Sequence, residues 1–177
     1  MQKCKINIRS LNVRGLGSQH KRRDVIHFLK NKNADIIFLQ DTHLTKEKTP
    51  SFNLLWKGKS YHSYYAHNSR GTSILISSHL HHDVISQFID DNGNYIILQC
   101  KVGTEVYLLG SIYGPNRDEP AFYSHLDEII DEIDFHHIIF GGDFNFVINA
   151  KIDSFGYVNK NNVNARKKFI RFCDEHN

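Results

Sequence analysis

No apolar run among the 177 residues approaches the roughly 20 that a membrane-spanning helix needs. The N-terminal Met1-Gln2-Lys3-Cys4 leads into an alternating segment and lacks the apolar block of a signal peptide. Cysteine is scarce: Cys4, Cys100 and Cys173 are odd in number and widely spaced. With no Cys-x-x-Cys pair, neither a disulfide framework nor a thiolate zinc site is indicated. All three are expected to be buried small apolar residues in a reducing compartment. The net charge of +3 is mild and gives little reason by itself to expect a polyanion partner. No internal repeat and no interdomain linker is present. These absences set the expectation of an intracellular protein without a membrane segment, one domain spanning 1–177.

What is there is an ordinary globular balance, 40% apolar and 23% charged, enough for a sizeable core. Lys5 to Leu11 alternates and reads as a strand. It ends in a glycine-punctuated turn, Asn12-Val13-Arg14-Gly15-Leu16-Gly17. Ser18 is a candidate N-cap for a helix carrying Val25, Ile26 and Leu29. Asp35 to Gln40 is a short continuous apolar run, as in a strand covered on both faces. Strands are then expected at Tyr61–Tyr65, Ser73–Ser77, Val84–Ile89, Tyr95–Lys101 and Val106–Ile112. The turns between them include Asn68-Ser69-Arg70-Gly71 and Asp91-Asn92-Gly93-Asn94. A helix near Ala121–Ile133 turns Phe122, Leu126, Ile129, Ile130 and Ile133 inward. The strand His137–Phe140 runs into Gly141-Gly142-Asp143-Phe144-Asn145. After a polar stretch from Asn159 to Asn164, a last basic helix is expected to turn Phe169, Ile170 and Cys173 inward. The pattern is mixed α/β, with antiparallel sheet between helical units.

Hydrolysing a phosphodiester requires neutralised phosphate charge and a water held in line. Magnesium suits this, because it takes hard oxygen ligands from one or two carboxylates and amide oxygens and keeps waters in its shell. Asn12, Asp41, Tyr113 with Asn116, and Asp143 with Asn145 all stand where apolar strands stop. Each has an ordinary reading as well. Asn12 favours a turn, Asp41-Thr42 could cap a helix, and Tyr113-Gly114-Pro115-Asn116 is good turn chemistry. Gly-Gly-Asp-Phe-Asn is more specific, since side chains two apart on an extended segment share a face.

Four segments together resemble the endonuclease/exonuclease/phosphatase superfamily, and within it the endonucleases of LINE-type retrotransposons. They are Ser10 to Leu16, Phe38-Leu39-Gln40-Asp41-Thr42-His43-Leu44, Ser111 to Asn116, and Gly142-Asp143-Phe144-Asn145, in the family's order and approximate spacing. The resemblance implies a four-layer α/β sandwich of the DNase I-like type, with two packed sheets and helices outside. It implies that Asn12 and Asp41 bind Mg2+, with Mn2+ as a substitute, and that His43 lies behind the metal or near the phosphate. Tyr113 and Asn116 would hold the phosphate, Asp143 would orient or deprotonate the attacking water, and Asn145 would stabilise the transition state. Arg14 and Arg22 would contact DNA phosphates. DNA is the implied substrate, the nucleus the implied site of action, and a reverse transcriptase the implied companion in a longer polyprotein.

Two departures stand out. Position 41 is aspartate where the family usually has glutamate, a loss of reach of roughly 1–1.5 Å. The family's Ser-Asp-His-like motif on a final strand is absent from the sequence, and His176 does not stand in for it. The fold is therefore expected to be incomplete at the C-terminus, with unpaired edges, exposed apolar faces and little catalysis. Two alternatives remain open: a non-catalytic relic that binds metal or DNA weakly, and a relative acting on small phosphoesters. His79, His81 and His82, His136-His137, and Arg166-Lys167-Lys168 read as solvated surface, and Trp56 with Tyr61, Tyr64 and Tyr65 as core.

Overall fold

The computed structural model describes residues 5–65, 69–149, 152 and 162–176. Cys4, Asn68 and the stretch 159–161, which carried expectations above, lie outside them. The chain divides into two compact units, one of Met1–Tyr113 with Phe135–Asp143, the other of Gly114–Asp134 with Phe144–Asn177.

The first unit holds two four-stranded mixed sheets. Strands β1 (Ile8–Asn12), β2 (Ile36–Gln40), β3 (Gly58–Ser63) and β4 (Thr72–Ser77) form one, ordered β1-β2-β4-β3. The strands β5 (Asp83–Ile89), β6 (Tyr95–Val102), β7 (Glu105–Tyr113) and β8 (His137–Asp143) form the other in sequence order. Pairing is parallel for β1 with β2 and for β7 with β8, and antiparallel elsewhere. The run of strands expected as one antiparallel sheet thus divides at the 78–82 connection, and the two packed sheets implied by the resemblance are present.

Strand β2 explains the packing. Every residue in it is buried, and its side chains alternate between two cores. Ile37 and Leu39 join Leu16, Ile26, Leu29, Phe52 and Trp56 beneath helix α1 (Gln19–Asn31). Ile36 and Phe38 face the second sheet and meet Ile96, Leu98, Cys100 and Leu109. Helix α1 starts where expected, the Ser18 hydroxyl accepting from the Lys21 N–H at 3.2 Å.

The second unit is built on helices α3 (Pro120–Asp131) and α4 (Val163–Glu175). Tyr123 is fully buried, with its ring centroid 5.5 Å from that of Phe169 and 5.8 Å from that of Phe146. Phe144 lies 4.5 Å from Phe169. Asp118 caps α4 from a distance, taking the N–H groups of Asn164 at 3.2 Å and Ala165 at 2.7 Å.

Several expectations need correction. Strand β3 ends at Ser63 instead of Tyr65, because its pairing with β4 stops at Ser63↔Thr72, where Arg70 and Gly71 turn with positive φ. Helix α4 buries Ala165, Phe169 and Phe172, while Ile170 and Cys173 are exposed. The α4 stripe follows i, i+4, i+7, and the aromatic cluster takes that face. A one-turn helix, α2 (Thr49–Asn53), was not anticipated. Exposed apolar side chains do occur on edge strand β5, at Ile85 and Ile89. No helix among the described residues is long and apolar enough to cross a membrane.

Candidate active site

Asn12, Asp41, Tyr113 and Asp143 all stand at or just past the same ends of β1, β2, β7 and β8. Strand pairing enforces this. Asn12 is in register with Gln40, the residue before Asp41, and Tyr113 with Asp143. Asn12 Nδ2 then donates to Asp143 Oδ2 at 2.8 Å, joining the two sheets at their shared rim. Asn12 Oδ1 accepts from the Arg14 N–H at 3.0 Å, so both ends of the amide are held.

Glycine lets the sheets come this close. A Cβ on Gly141 would lie 2.6 Å from the Phe38 ring and 3.5 Å from Ser10 Cβ, both on the facing sheet, while within the second sheet one on Gly142 would sit on the carbonyl oxygen of its β7 partner Ile112. Below the rim runs a buried polar bridge. Ser10 Oγ donates to Gln40 Oε1 at 3.4 Å, Gln40 Nε2 to Ser111 Oγ at 3.1 Å, and Ser111 Oγ to the Leu39 carbonyl at 3.0 Å. Gln40 thereby satisfies both ends of its amide between the sheets, so it aligns them without leaving a buried polar atom unpaired.

The rim loops are joined in series by main-chain bonds. Gly15 N donates to Asp41 O and Leu16 N to Thr42 O, both at 2.6 Å. Thr42 N donates to Gly71 O, His43 N to Arg70 O, and Gly71 N to Gly93 O. Asp41 and His43 both have positive φ, 55° and 51°, which is sterically costly for residues with a Cβ. This backbone brings His43 Nε2 to 2.8 Å from Asp41 Oδ1. The imidazole leans on Gly15, where a Cβ would approach Nδ1 to 2.8 Å.

Two basic residues expected at phosphate differ in placement. Arg14 is exposed beside Asn12. Arg22 is buried, with 7% of its surface accessible, and Nη1 donates to the carbonyls of Leu16 at 2.8 Å and Gly17 at 2.9 Å. It buttresses the Asn12 loop from inside. Sequence reading passed over Arg70, which stands on the rim with its guanidinium 4.9 Å from the Tyr65 ring centroid and Nη1 3.4 Å from Asn94 Oδ1. Its only signal was the turn it sits in. In the second unit, Asn116 is exposed, and Asn145, with φ 55°, donates from Nδ2 to the Gly114 carbonyl at 2.6 Å. The backbone carbonyl of Asn145 accepts from Asn162 Nδ2 at 3.0 Å.

Residues 6–152 match the Endonuclease/Exonuclease/phosphatase family. The chain belongs to this family. Among relatives of the Endonuclease/Exonuclease/phosphatase chain is the transposon TX1 uncharacterized 149 kDa protein of Xenopus laevis, 29% identical over 149 residues. The match takes in 82% of this chain and 11% of that protein. The catalytic domain of Xenopus laevis APE2 superposes with a TM-score of 0.67 at 19% identity, covering 92% of this chain and 66% of that one. The endonuclease domain of TRAS1, a telomere-specific non-LTR retrotransposon, superposes at 0.64 with 13% identity, covering 92% and 70%. The fold is thus the α/β sandwich of this family, and the chain is similar in sequence to a transposon-encoded protein. Phosphoester cleavage is the general chemistry that family and fold support.

Proposed function

We propose that the chain is the endonuclease-type domain of a non-LTR retrotransposon, hydrolysing DNA phosphodiesters with Mg2+, or Mn2+ in its place. The observation that carries the reading is the Asn12–Asp143 hydrogen bond beside the Asp41–His43 pair. It gathers two carboxylates and an amide on one rim made by both sheets. That donor set of hard oxygens fits magnesium, which needs only one or two carboxylates and completes its shell with water.

In this reading Asp41 and Asn12 hold the cation, which supplies positive charge to the phosphate when bound. His43 fixes the orientation of the shorter aspartate. Asp143 accepts a proton from water as the water oxygen bonds to phosphorus and the P–O bond to the leaving oxygen breaks. Tyr113 orients the phosphate and stabilises its added charge, and a phosphate role for Asn116 and Asn145 rests on the family resemblance alone. Arg14 and the rim residue Arg70 track neighbouring phosphates without reading sequence. Arg22 acts on this site only through the loop it supports. A reverse transcriptase elsewhere in a longer polyprotein and a nuclear site of action accompany this proposal.

The test is conversion of supercoiled plasmid to open circles with and without Mg2+. Nicking should require the cation and fall by on the order of 100- to 10,000-fold in Asp143→Ala, the range for removing an acid–base group. A specific observation favours a second reading, a non-catalytic relic. Asp41 is the short carboxylate and one of its oxygens is already engaged by His43. Salt-sensitive DNA binding without turnover, by a protein folded according to circular dichroism, would select the relic. Phosphate release from soluble monoesters without nicking would select a phosphatase-type member.

A further inference from the structure

At the opposite end of the first sheet from this rim lies a cavity of about 300 Å³, the lower end of the size range for small-ligand sites. It opens between the C-terminus of α1, the segment leading into β2, and the end of β4. The strand β2 separates it from the rim. Asp35 lines the cavity, and Asp41 stands six residues further on, roughly 20 Å away at ~3.3 Å per residue. Nothing in the proposed chemistry of the rim uses it.

The floor is formed by Ala34, Trp56 and Ser77, all buried, and the rim carries Lys30, Lys57 and His79 with Asn33 and Ser78. Neither lysine forms an ion pair among the described residues. The cavity's one acid, Asp35, turns Oδ2 onto the Asn7 N–H at 2.8 Å, which holds the carboxylate toward the start of β1 and leaves two lysines against one acid. Ser77 Oγ accepts from the His79 N–H at 3.3 Å, which holds the turn carrying the histidine. Two cations outnumbering the one acid and in no ion pair among the described residues, hydroxyl and amide donors, and a concave, part-apolar floor form a chemical combination suited to a phosphate ester. Lysine ammonium groups meet phosphate oxygens as point charges, and neutral donors fix the remaining oxygens. A merely solvated basic surface would lack the buried floor.

We propose that this cavity is a phosphate-binding site separate from the catalytic rim, taking a small phosphorylated ligand up to about the size of a mononucleotide. The same phosphate chemistry could be presented by a nucleic-acid backbone, and the two sources differ in what they allow to bind. A free ligand enters the cavity whole, whereas a duplex reaches only the rim lysines.

Trp56 is the only tryptophan in the chain and sits in the cavity floor, 7% exposed, with Nε1 donating to the Ile76 carbonyl at 3.3 Å. Its fluorescence therefore reports occupancy without reference to nicking, so failure here and failure of the endonuclease reading are distinguishable. Titration with pyrophosphate and with AMP should give a saturable change in Trp56 emission, matched by broadening of the ligand 31P resonance. Both lysines are exposed, and the Lys30→Gln, Lys57→Gln double variant should keep its circular dichroism while the half-saturation concentration rises at least tenfold. A response to a short DNA duplex alone, lost in the same variant, would assign the phosphate to a nucleic-acid backbone. No saturable response in either signal would overturn the proposal. So would an equal response to sodium chloride at matched ionic strength, or unchanged affinity in the double variant.

Discussion

Each of the two compact units of this chain is stabilised internally by a different chemistry. In the first, aliphatic strands pack on both faces, and the rim that carries Asn12, Asp41 and Asp143 is positioned by backbone pairing and by glycines that admit close approach. In the second, aromatic rings around Phe169 and a few carboxylate contacts do the holding. Asp118 caps α4, and Asp127 ties α3 to α4 through Lys168 and through His176 at 3.2 Å. A rim fixed by main-chain geometry tolerates no added atom, whereas a ring cluster fails by losing atoms. Mutations of opposite kind should therefore break the two units.

The largest effect expected is from Gly142→Ala. The new methyl would overlap the Ile112 carbonyl oxygen, and a backbone atom cannot rotate away as a side chain can. The cost should reach about 3 kcal/mol or more, the upper range for overpacking. Urea denaturation should show a lower midpoint, and wild-type stability in the variant would refute the close-approach argument. Phe169→Ala does the reverse in the second unit. Removing a ring that meets Tyr123, Phe144, Phe146 and Phe172 should cost about 3 kcal/mol, the lower end for a buried ring. Amide exchange should accelerate most in α3 and α4, and a uniform change across the β strands would contradict a locally held cluster.

Legibility in the sequence divides along the same line. Strand β2 is readable because burial on both faces leaves an uninterrupted apolar run, and Gly141-Gly142-Asp143 because glycine pairs before an acid are rare without a reason. The four motif segments carried the family assignment. On helix α4 the expected inward face holds at Phe169 and fails at Ile170 and Cys173, since Phe169, Ile170, Phe172 and Cys173 offer competing stripes and only the rings of α3 and of residues 144–146 decide between them. Arg22, beside Lys21 and Arg23, reads as a basic side chain turned outward to DNA phosphates. Its burial depends on two carbonyls presented by a turn, which no local pattern announces. Arg70 offered only the turn it sits in, because its relation to Tyr65 and Asn94 is made by the fold.

A pH experiment sharpens the comparison. In the first unit His62 is buried, with Nδ1 2.8 Å from Ser73 Oγ, and burial pushes its pKa down from 6.5 to about 4. The unfolded chain therefore takes up a proton at this histidine that the folded chain refuses until far lower pH. Stability should fall as pH drops through that interval, by about 2 kcal/mol between pH 7 and pH 5. His62→Gln, which keeps a hydrogen-bonding group but does not titrate, should flatten that part of the stability profile.

The smallest effect, and the one that separates the units most cleanly, belongs to Asp118. Hydrogen bonds from the Ala165 and Asn164 N–H groups and from the Asn164 side chain hold its carboxyl below the usual 3.8. A carboxylate whose folded pKa is depressed contributes stability above its unfolded pKa and loses it as pH falls through the folded value. The start of α4 should therefore stay protected through the range in which His62 weakens the first unit, and should fray only once pH drops below about 3.8. Asp118→Ala should remove that protection at neutral pH, seen as faster amide exchange at Asn164 and Ala165, whose N–H groups lose their acceptor. If those two amides instead begin to exchange near pH 6, in step with the strands around His62, the two units share one unfolding event, and the difference in how they are held has no consequence for how they come apart.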